Sequence, residues 1–325
     1  MRKTAVEFIR EFDDFLLIAH VSPDGDTLGS CLALYCALLK LGKRAQIACA
    51  DPVPKTYRFL PHADRIAAPE DTAPFSCAIA VDCADLLRTG RCAPLLSGAQ
   101  HTLNIDHHGT NPNFGESNYV EIAAATGELV YHIIRELGLN PDEEMAACLY
   151  AALATDTGNF SYRNTTPDTF RIMAELLESG LDLPALNQRL FRTTSLPRLR
   201  INALSIGRLE LYCNNRLGFC TLSLADLASL GATREDCESV IDIIRDIDTV
   251  EVAAFLREGM DGAVRVSMRG KTSADVSRVA QRFGGGGHRL AAGCTIRTTL
   301  EEARALLLPE LEALLEGEGN AWKES

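Results

Sequence analysis

"FLLIAHVSPDGDTLGSCLALYCALLKLG", residues 15–42, places an apolar run, a polar loop and a helix-patterned segment in direct succession. The run at 15–19 is continuously apolar, as a strand buried on both faces must be. Leu28, Cys31, Leu32, Tyr35, Leu38 and Leu39 then recur at helical spacing, and Gly42 stands where a helix stops, which predicts a helix over about 27–41. The same rhythm continues. "AQIACA" (45–50), "CAIAVD" (77–82) and "HTLNID" (101–106) read as further strands. Helices are expected at about 126–137, stopped by Gly138, at 142–155, and at 167–179, stopped by Gly180. Alternating strands and helices predict an α/β fold with a mostly parallel sheet flanked by helices.

The second half changes character. "RLFRTTSLPRLR" (189–200) reads as a linker or linker helix. "RLELYC" with "LGFCTLS", and "VEVAAFLRE" with "AVRVSMR" across "GMDG", read as hairpins. Helices are expected near 235–246, 273–283 and 299–316. The expected division is a first domain over 1–188, a linker over 189–207 and a smaller α+β domain over 208–318, facing the first across a cleft.

Composition narrows the function. The 325 residues carry 32 Lys+Arg against 44 Asp+Glu, a net charge of −12. That argues against a track for long duplex nucleic acid, which needs a basic surface, but allows a small anion in a local basic pocket. No apolar run reaches the roughly 20 residues of a membrane span, and "FLLIA" follows "EFDD", unlike a signal peptide. The 11 cysteines form no CxxC pair, which argues against a cysteine-built zinc site. Cys31, Cys36 and Cys148 sit in apolar stretches and read as reduced core residues of a cytoplasmic protein.

The polar residues with chemistry gather at the ends of apolar elements, where open α/β sheets bind ligands. "HVSPDGD" (20–26) offers His20, Asp24 and Asp26 after the first strand. "VDCAD" (81–85) offers Asp82 after the third, and "DHH" offers Asp106, His107 and His108 after the fourth. "TDTGNF" (155–160) offers Asp156 after a helix. Taken singly, Asp26 reads as a helix cap, His107 as a core histidine and Asp156 as a turn former. Together they supply mixed imidazole and carboxylate donors without thiolate. That suits two divalent cations sharing a bridging carboxylate, Mn²⁺ first and Mg²⁺ or Co²⁺ as alternatives. Such sites activate water and clamp a phosphoryl group.

"RFGGGGH" (282–288) is a different signal. Alone, four glycines read as a helix stop or a flexible loop. Arg269, Lys271, Arg278, His288 and Arg289 lie nearby in sequence or expected structure, and they favour a phosphate grip. In that reading the amides of Gly284, Gly285, Gly286 and Gly287 form an anion nest, with His288 and Arg269 adding charge-assisted bonds.

"HVSPDGDTLGS", "VDCAD", "NIDHHGTN" and "ATDTGNFSY" resemble the four ordered motifs of the DHH phosphoesterase superfamily, and 267–293 resembles its DHHA1 domain. The resemblance implies that His20, Asp24 and Asp82 hold one metal. It implies that Asp26, Asp82, His107 and Asp156 hold the other, with Asp82 bridging. His108 would touch the phosphate, Asp106 would orient a neighbouring histidine, and a hydroxide activated by the cations would attack. Arg163, just past Asp156, would approach the phosphate. Length and domain make-up resemble the branch that hydrolyses short oligoribonucleotides, dinucleotides such as pGpG included, and 3′-phosphoadenosine 5′-phosphate. The expected partner is therefore a short single-stranded RNA or nucleotide, with no membrane, and the sequence leaves a homodimer open. Rival readings are a stand-alone cyclic-dinucleotide phosphodiesterase, a RecJ-like exonuclease, an inorganic pyrophosphatase and a non-catalytic nucleotide sensor.

Overall fold

Apolar strands that cannot face water on either side need helices on both, and the first half of the chain builds that arrangement. The computed structural model describes residues 2–272 and 274–318. The chain divides into two units, Met1–Thr193 and Thr194–Ser325. The first unit runs α1 (Arg2–Glu11), β1 (Asp14–Ala19), α2 (Gly25–Lys40), β2 (Arg44–Cys49), β3 (Ile66–Ala67), β4 (Cys77–Val81), α3 (Ala93–Gly98), β5 (His101–Asp106), β6 (Ser117–Val120), α4 (Thr126–Glu136), α5 (Glu143–Asp156), α6 (Pro167–Glu178) and α7 (Leu183–Asn187). Its six strands are all parallel, in the order β3-β2-β1-β4-β5-β6. Sequence order reverses between β1 and β4, so the crevice for a ligand opens beyond the carboxyl ends of those two strands.

The four long strands fall where the sequence put them. Alternate residues serve opposite faces: Phe15, Leu17, Ile79, Leu103 and Ile105 join the core under α2, α4 and α5. Leu16, Ile18, Ala48, Ala78 and Ala80 join a second cluster with Cys92 and Leu96 near α3. The helix expected at 27–41 starts earlier, at Gly25, because Asp24 caps it by accepting from the N–H groups of Asp26 (3.0 Å) and Thr27 (3.2 Å). The cap is therefore Asp24, and Asp26 lies buried in the first turn. The apolar stripe on α2 is also too narrow as expected from sequence. Ala33, Leu34, Cys36 and Ala37 are buried as well, while Leu39 is 43% exposed. The cause is packing on several sides: α5 comes so close that a Cβ on Gly29 would stand 2.3 Å from the Cys148 carbonyl oxygen. The short strands β3 and β6 carry too few residues to show a period, and α1, although amphipathic with Ala5, Val6, Phe8 and Ile9 buried, was also not read from the sequence.

The second unit runs α8 (Leu196–Gly207), β7 (Glu210–Tyr212), β8 (Leu217–Leu222), α9 (Leu224–Ser229), α10 (Val240–Arg245), β9 (Val252–Glu258), β10 (Val264–Gly270), α11 (Val276–Arg282), β11 (Gly286–His288), β12 (Ala291–Ile296) and α12 (Leu300–Glu318). Residues 189–207 include α8, capped by the Ser195 hydroxyl and anchored by the buried Ile201. Both expected hairpins form, and β8 and β9 pair in parallel within a sheet ordered β11-β12-β10-β9-β8-β7. The helix expected at 235–246 breaks into a 3₁₀ turn, Glu235–Cys237, and α10. Ser273, at the start of the helix expected over 273–283, lies outside the described residues. Among the described residues no helix is long and apolar enough to cross a membrane.

The two faces of this second sheet differ. Val264, Val266, Met268, Ala292 and Cys294 pack against α11 and α12. On the opposite face Cys220, Leu222, Ala253 and Phe255 pack against α8 and α10. Strand register places Arg265, Ser267 and Arg269 of β10, Ala291, Gly293 and Thr295 of β12, and Gly286 and His288 of β11 on that same opposite face. None of these eight belongs to an apolar cluster.

Candidate active site

Every donor of the first unit named from the sequence comes from the carboxyl end of a strand or from a helix end beside it. His20 follows β1. Its backbone N–H donates to Thr27 Oγ1 (3.2 Å), and that hydroxyl donates to the Val81 carbonyl (3.0 Å), which ties the β1 loop to the end of β4. Asp82 follows β4 with φ 60, a left-handed backbone rare for a residue with a side chain. Its N–H still donates to the Ile105 carbonyl (2.8 Å), which fixes where the carboxylate points.

Three groups of donors result, and within each the ligand atoms lie within 4.8 Å of one another: His20, Asp24 and Asp82; Asp26, His107 and Asp156; Asp82, His107 and His108. Asp82 and His107 each belong to two of them. His107 Nδ1 bonds the Ala123 carbonyl (3.1 Å), which leaves Nε2 free. That nitrogen stands 3.8 Å from Asp26, 3.7 Å from Asp82 and 3.6 Å from Asp156, beyond good hydrogen-bond length. His20 Nε2 likewise stands 3.5 Å from Asp24 and 3.4 Å from Asp82. His20 Nδ1 lies 2.8 Å from the Val21 carbonyl and 3.0 Å from Arg88 Nη2, and it can serve only one of them in a given tautomer. Donation to Val21 leaves the Nε2 lone pair toward the carboxylates, the tautomer a metal ligand requires.

Electrostatics shows that the set fits cations. Asp26 and Asp82 are 1% and 3% exposed, with Asp156 and Asp24 beside them. Burial, then repulsion from Asp82, Asp156 and Asp24, pushes the Asp26 pKa well above the carboxylate range. Burial also raises Asp156, to about 6; His107 opposes the rise while Asp82 and Asp24 add to it. The His20 pKa rises as well. Burial disfavours its charged form, yet the facing carboxylates of Asp24 and Asp82 outweigh that and carry it up to about 9. Crowded anionic oxygens facing imidazole nitrogens at these distances are costly unless positive charge enters. A mixed nitrogen and oxygen donor set without thiolate suits hard to borderline divalent ions.

His108 differs from the other histidines. Its Nδ1 bonds the fully buried Asp106 (2.8 Å), which is the first cause of its raised pKa, and its side chain is 36% exposed. Burial alone would raise Asp106, but bonds from His108 and Asn111 hold it below the usual carboxylate value. Arg163 is exposed on the turn after α5.

Sequence reading missed several residues that set this geometry. Asp26 accepts from the N–H groups of Thr126 (2.7 Å) and Gly127 (2.9 Å) at the start of α4, and from the Ser30 hydroxyl (3.0 Å). The Thr126 hydroxyl donates to Asp82 (2.8 Å). Asn111 Nδ2 holds Asp106 (2.7 Å) and Asn104 (2.7 Å). The available signal was polar residues at otherwise apolar helical positions: Ser30 lies one turn after Asp26 on α2.

In the second unit the glycine run is a packing device as well as a loop. Gly284 (φ +70) ends α11, and its N–H donates to the Gln281 carbonyl (3.0 Å). A Cβ on Gly285 would stand 2.2 Å from the Gly293 carbonyl oxygen, and one on Gly287 (φ +136) 2.5 Å from the Ala291 carbonyl oxygen. The nest expected over all four glycines is thus replaced by an αL turn and an edge strand pressed onto β12. His288 and Arg269 both oppose Ala291 in the register, so they flank it on one face.

Two family descriptions match this chain: DHH family, N-terminal domain, over residues 14–153, and DHHA1 domain, over 218–317. The Bifunctional oligoribonuclease and PAP phosphatase NrnA of Thermus thermophilus is 37% identical over 299 residues, covering 91% of this chain and 88% of that protein. The protein of the same description from Bacillus subtilis is 26% identical over 320 residues, 97% and 98% of the two chains. A crystal structure of an exopolyphosphatase-related protein from Bacteroides fragilis superposes with a TM-score of 0.90 at 25% identity, covering 97% of each chain. The motifs, the fold that assembles them and these relatives agree: the chain belongs to the DHH family, with a DHHA1 domain as its second unit.

Proposed function

We propose that the chain is a two-cation phosphoesterase that hydrolyses short oligoribonucleotides and 3′-phosphoadenosine 5′-phosphate. One observation carries the reading: two three-donor groups meet at the carboxyl ends of β1 and β4, linked through Asp82 and His107. The names of the curated relatives favour this substrate class. In this reading His20, Asp24 and Asp82 hold one cation, and Asp26, Asp82, His107 and Asp156 hold the other. Mn²⁺ suits the imidazole and carboxylate mixture. Bound cations would supply an activated water and neutralise phosphoryl charge.

The remaining chemistry belongs to the side chains. Asp106 fixes the His108 ring through Nδ1, so a protonated His108 can present its other N–H to phosphate oxygens. Asn111 holds Asp106 in turn, which keeps that orientation. Arg269 and His288 of the second unit, on one sheet face, bind substrate phosphate away from the reacting group.

The test is a rate comparison. The purified full chain with Mn²⁺ is assayed on 3′-phosphoadenosine 5′-phosphate, pGpG, a five-nucleotide RNA, cyclic di-AMP and pyrophosphate. Turnover highest on the first three is expected, and Asp82→Ala should abolish it while emptying both cation positions. Preference for cyclic di-AMP or pyrophosphate overturns the substrate reading, and a metal-replete, active Asp82→Ala protein overturns the site.

A further inference from the structure

Where β10, β11 and β12 form it, the α8 and α10 face of the second sheet holds more positive charge than the Arg269–His288 pair uses. On that face Arg265 of β10 pairs with Arg257 of β9 in the register. Together with Arg234 they line a cavity of about 480 Å³, whose floor includes Gly284, Gly285 and Gly293. The glycines add no side-chain bulk, so a ligand there can reach backbone. Glu238 is the one carboxylate among the lining residues.

The guanidiniums are under-matched. Among the described residues neither Arg234 nor Arg257 makes a side-chain hydrogen bond or an ion pair. Arg265 pairs with Asp261 through Nη2 (2.8 Å), but its Nη1 is buried without a hydrogen-bond partner. Burial, together with repulsion from Arg234 and Arg265, holds the Arg257 pKa below the ordinary arginine value. Three guanidiniums around one cavity, two of them half-buried, favour an anion.

We propose that Arg234, Arg257 and Arg265 form a second phosphate site on the DHHA1 sheet, one that grips a phosphate of the RNA strand further along than Arg269 and His288 do. The inference rests on the proposed oligoribonuclease reading. Arg265 lies four residues before Arg269 on the same strand face, about 13 Å away. A stacked strand rises about 3.4 Å per nucleotide, so phosphates about four nucleotides apart match the two positions. Dinucleotides are too short to use the second site, and strands of four or five nucleotides use it. The site therefore sets length preference rather than chemistry.

Steady-state rates on pGpG and on a five-nucleotide RNA test this, with Mn²⁺, for the wild type, Arg257→Gln, Arg234→Gln and Arg257→Lys. Arg257→Gln should raise KM for the five-nucleotide strand about tenfold, leave its kcat unchanged and leave both constants for pGpG unchanged. Arg234→Gln, an exposed change that cannot disturb the core, should act in the same sense. Arg257→Lys should recover much of the loss. Binding of a labelled five-nucleotide RNA to the full chain in chelator should weaken in parallel, with a shallower salt dependence. A pGpG KM that rises as much as the five-nucleotide KM overturns the proposal, and so does no change in either. Absence of turnover on both substrates by the wild type would instead defeat the oligoribonuclease reading, which separates the two failures.

Discussion

Asp82 shows how much a single residue can be asked to do. Its backbone sits at φ 60, which costs about 1–3 kcal/mol for a residue with a side chain. The β4–β5 ladder holds it there through the bond to Ile105, and the Thr126 hydroxyl holds its carboxylate. Nothing in "VDCAD" signals the strained backbone, because Asp after a strand is common and φ is not visible in a sequence. The partnership with Thr126 was hidden for another reason: 44 residues separate the two. Hydrogen bonds to ligands orient them and tune their basicity, so Thr126→Val should weaken Mn²⁺ affinity about 10- to 100-fold. The melting temperature without metal should stay close to wild type. Metal titration followed by a thermal scan measures both, and an unchanged affinity would show that Thr126 does not position Asp82.

At the scale of elements, a glycine inside α2 and one just past its end serve opposite reasons. Gly42 has φ +75 and open space around it, so it serves the helix stop that the sequence announced. Gly29 has an ordinary backbone, but a Cβ there would press on the backbone of α5 at Cys148 and Ala152. Its role was illegible because a helix–helix approach depends on the partner helix. Gly42→Ala should cost about 1–2 kcal/mol, the penalty of a left-handed alanine. Gly29→Ala should cost more, at or above the upper end of the roughly 1–3 kcal/mol seen for overpacking. Denaturant unfolding of both variants ranks them; a harmless Gly29→Ala would mean the α2–α5 contact is looser than described. The same logic explains "GGGGH". Composition announced backbone freedom, and strand pairing with β12 decided that two of the four glycines are needed for close approach.

For the whole molecule, charge is distributed against its sum. The chain carries −12 overall, yet the DHHA1 sheet presents Arg257, Arg265, Arg269 and His288 on one face. In the proposed reading, phosphates that reach this face release counterions, at a slope of about −0.7 per contact for single strands, and a longer strand finds no further basic face. The dependence of log binding constant on log salt should therefore be the same for a 24-nucleotide and a five-nucleotide RNA. Anisotropy titrations at several salt concentrations measure it. A slope that keeps growing with length would reveal a basic track and favour an exonuclease that follows long strands.

The sequence by itself determined the class of the fold and the family, because apolar periodicity and ordered motifs are local properties of a chain. It named His20, Asp24, Asp26, Asp82, His107 and Asp156 together, and the structure gathers these donors into overlapping groups of three whose ligand atoms lie within 4.8 Å of one another in each group. Tertiary structure alone decided which aspartate caps α2, which hydroxyl and amide groups hold the carboxylates, and how the sheet faces divide. Those outcomes depend on strand order, register and helix approach, which join residues tens of positions apart. No local pattern of one segment contains the geometry of its partner.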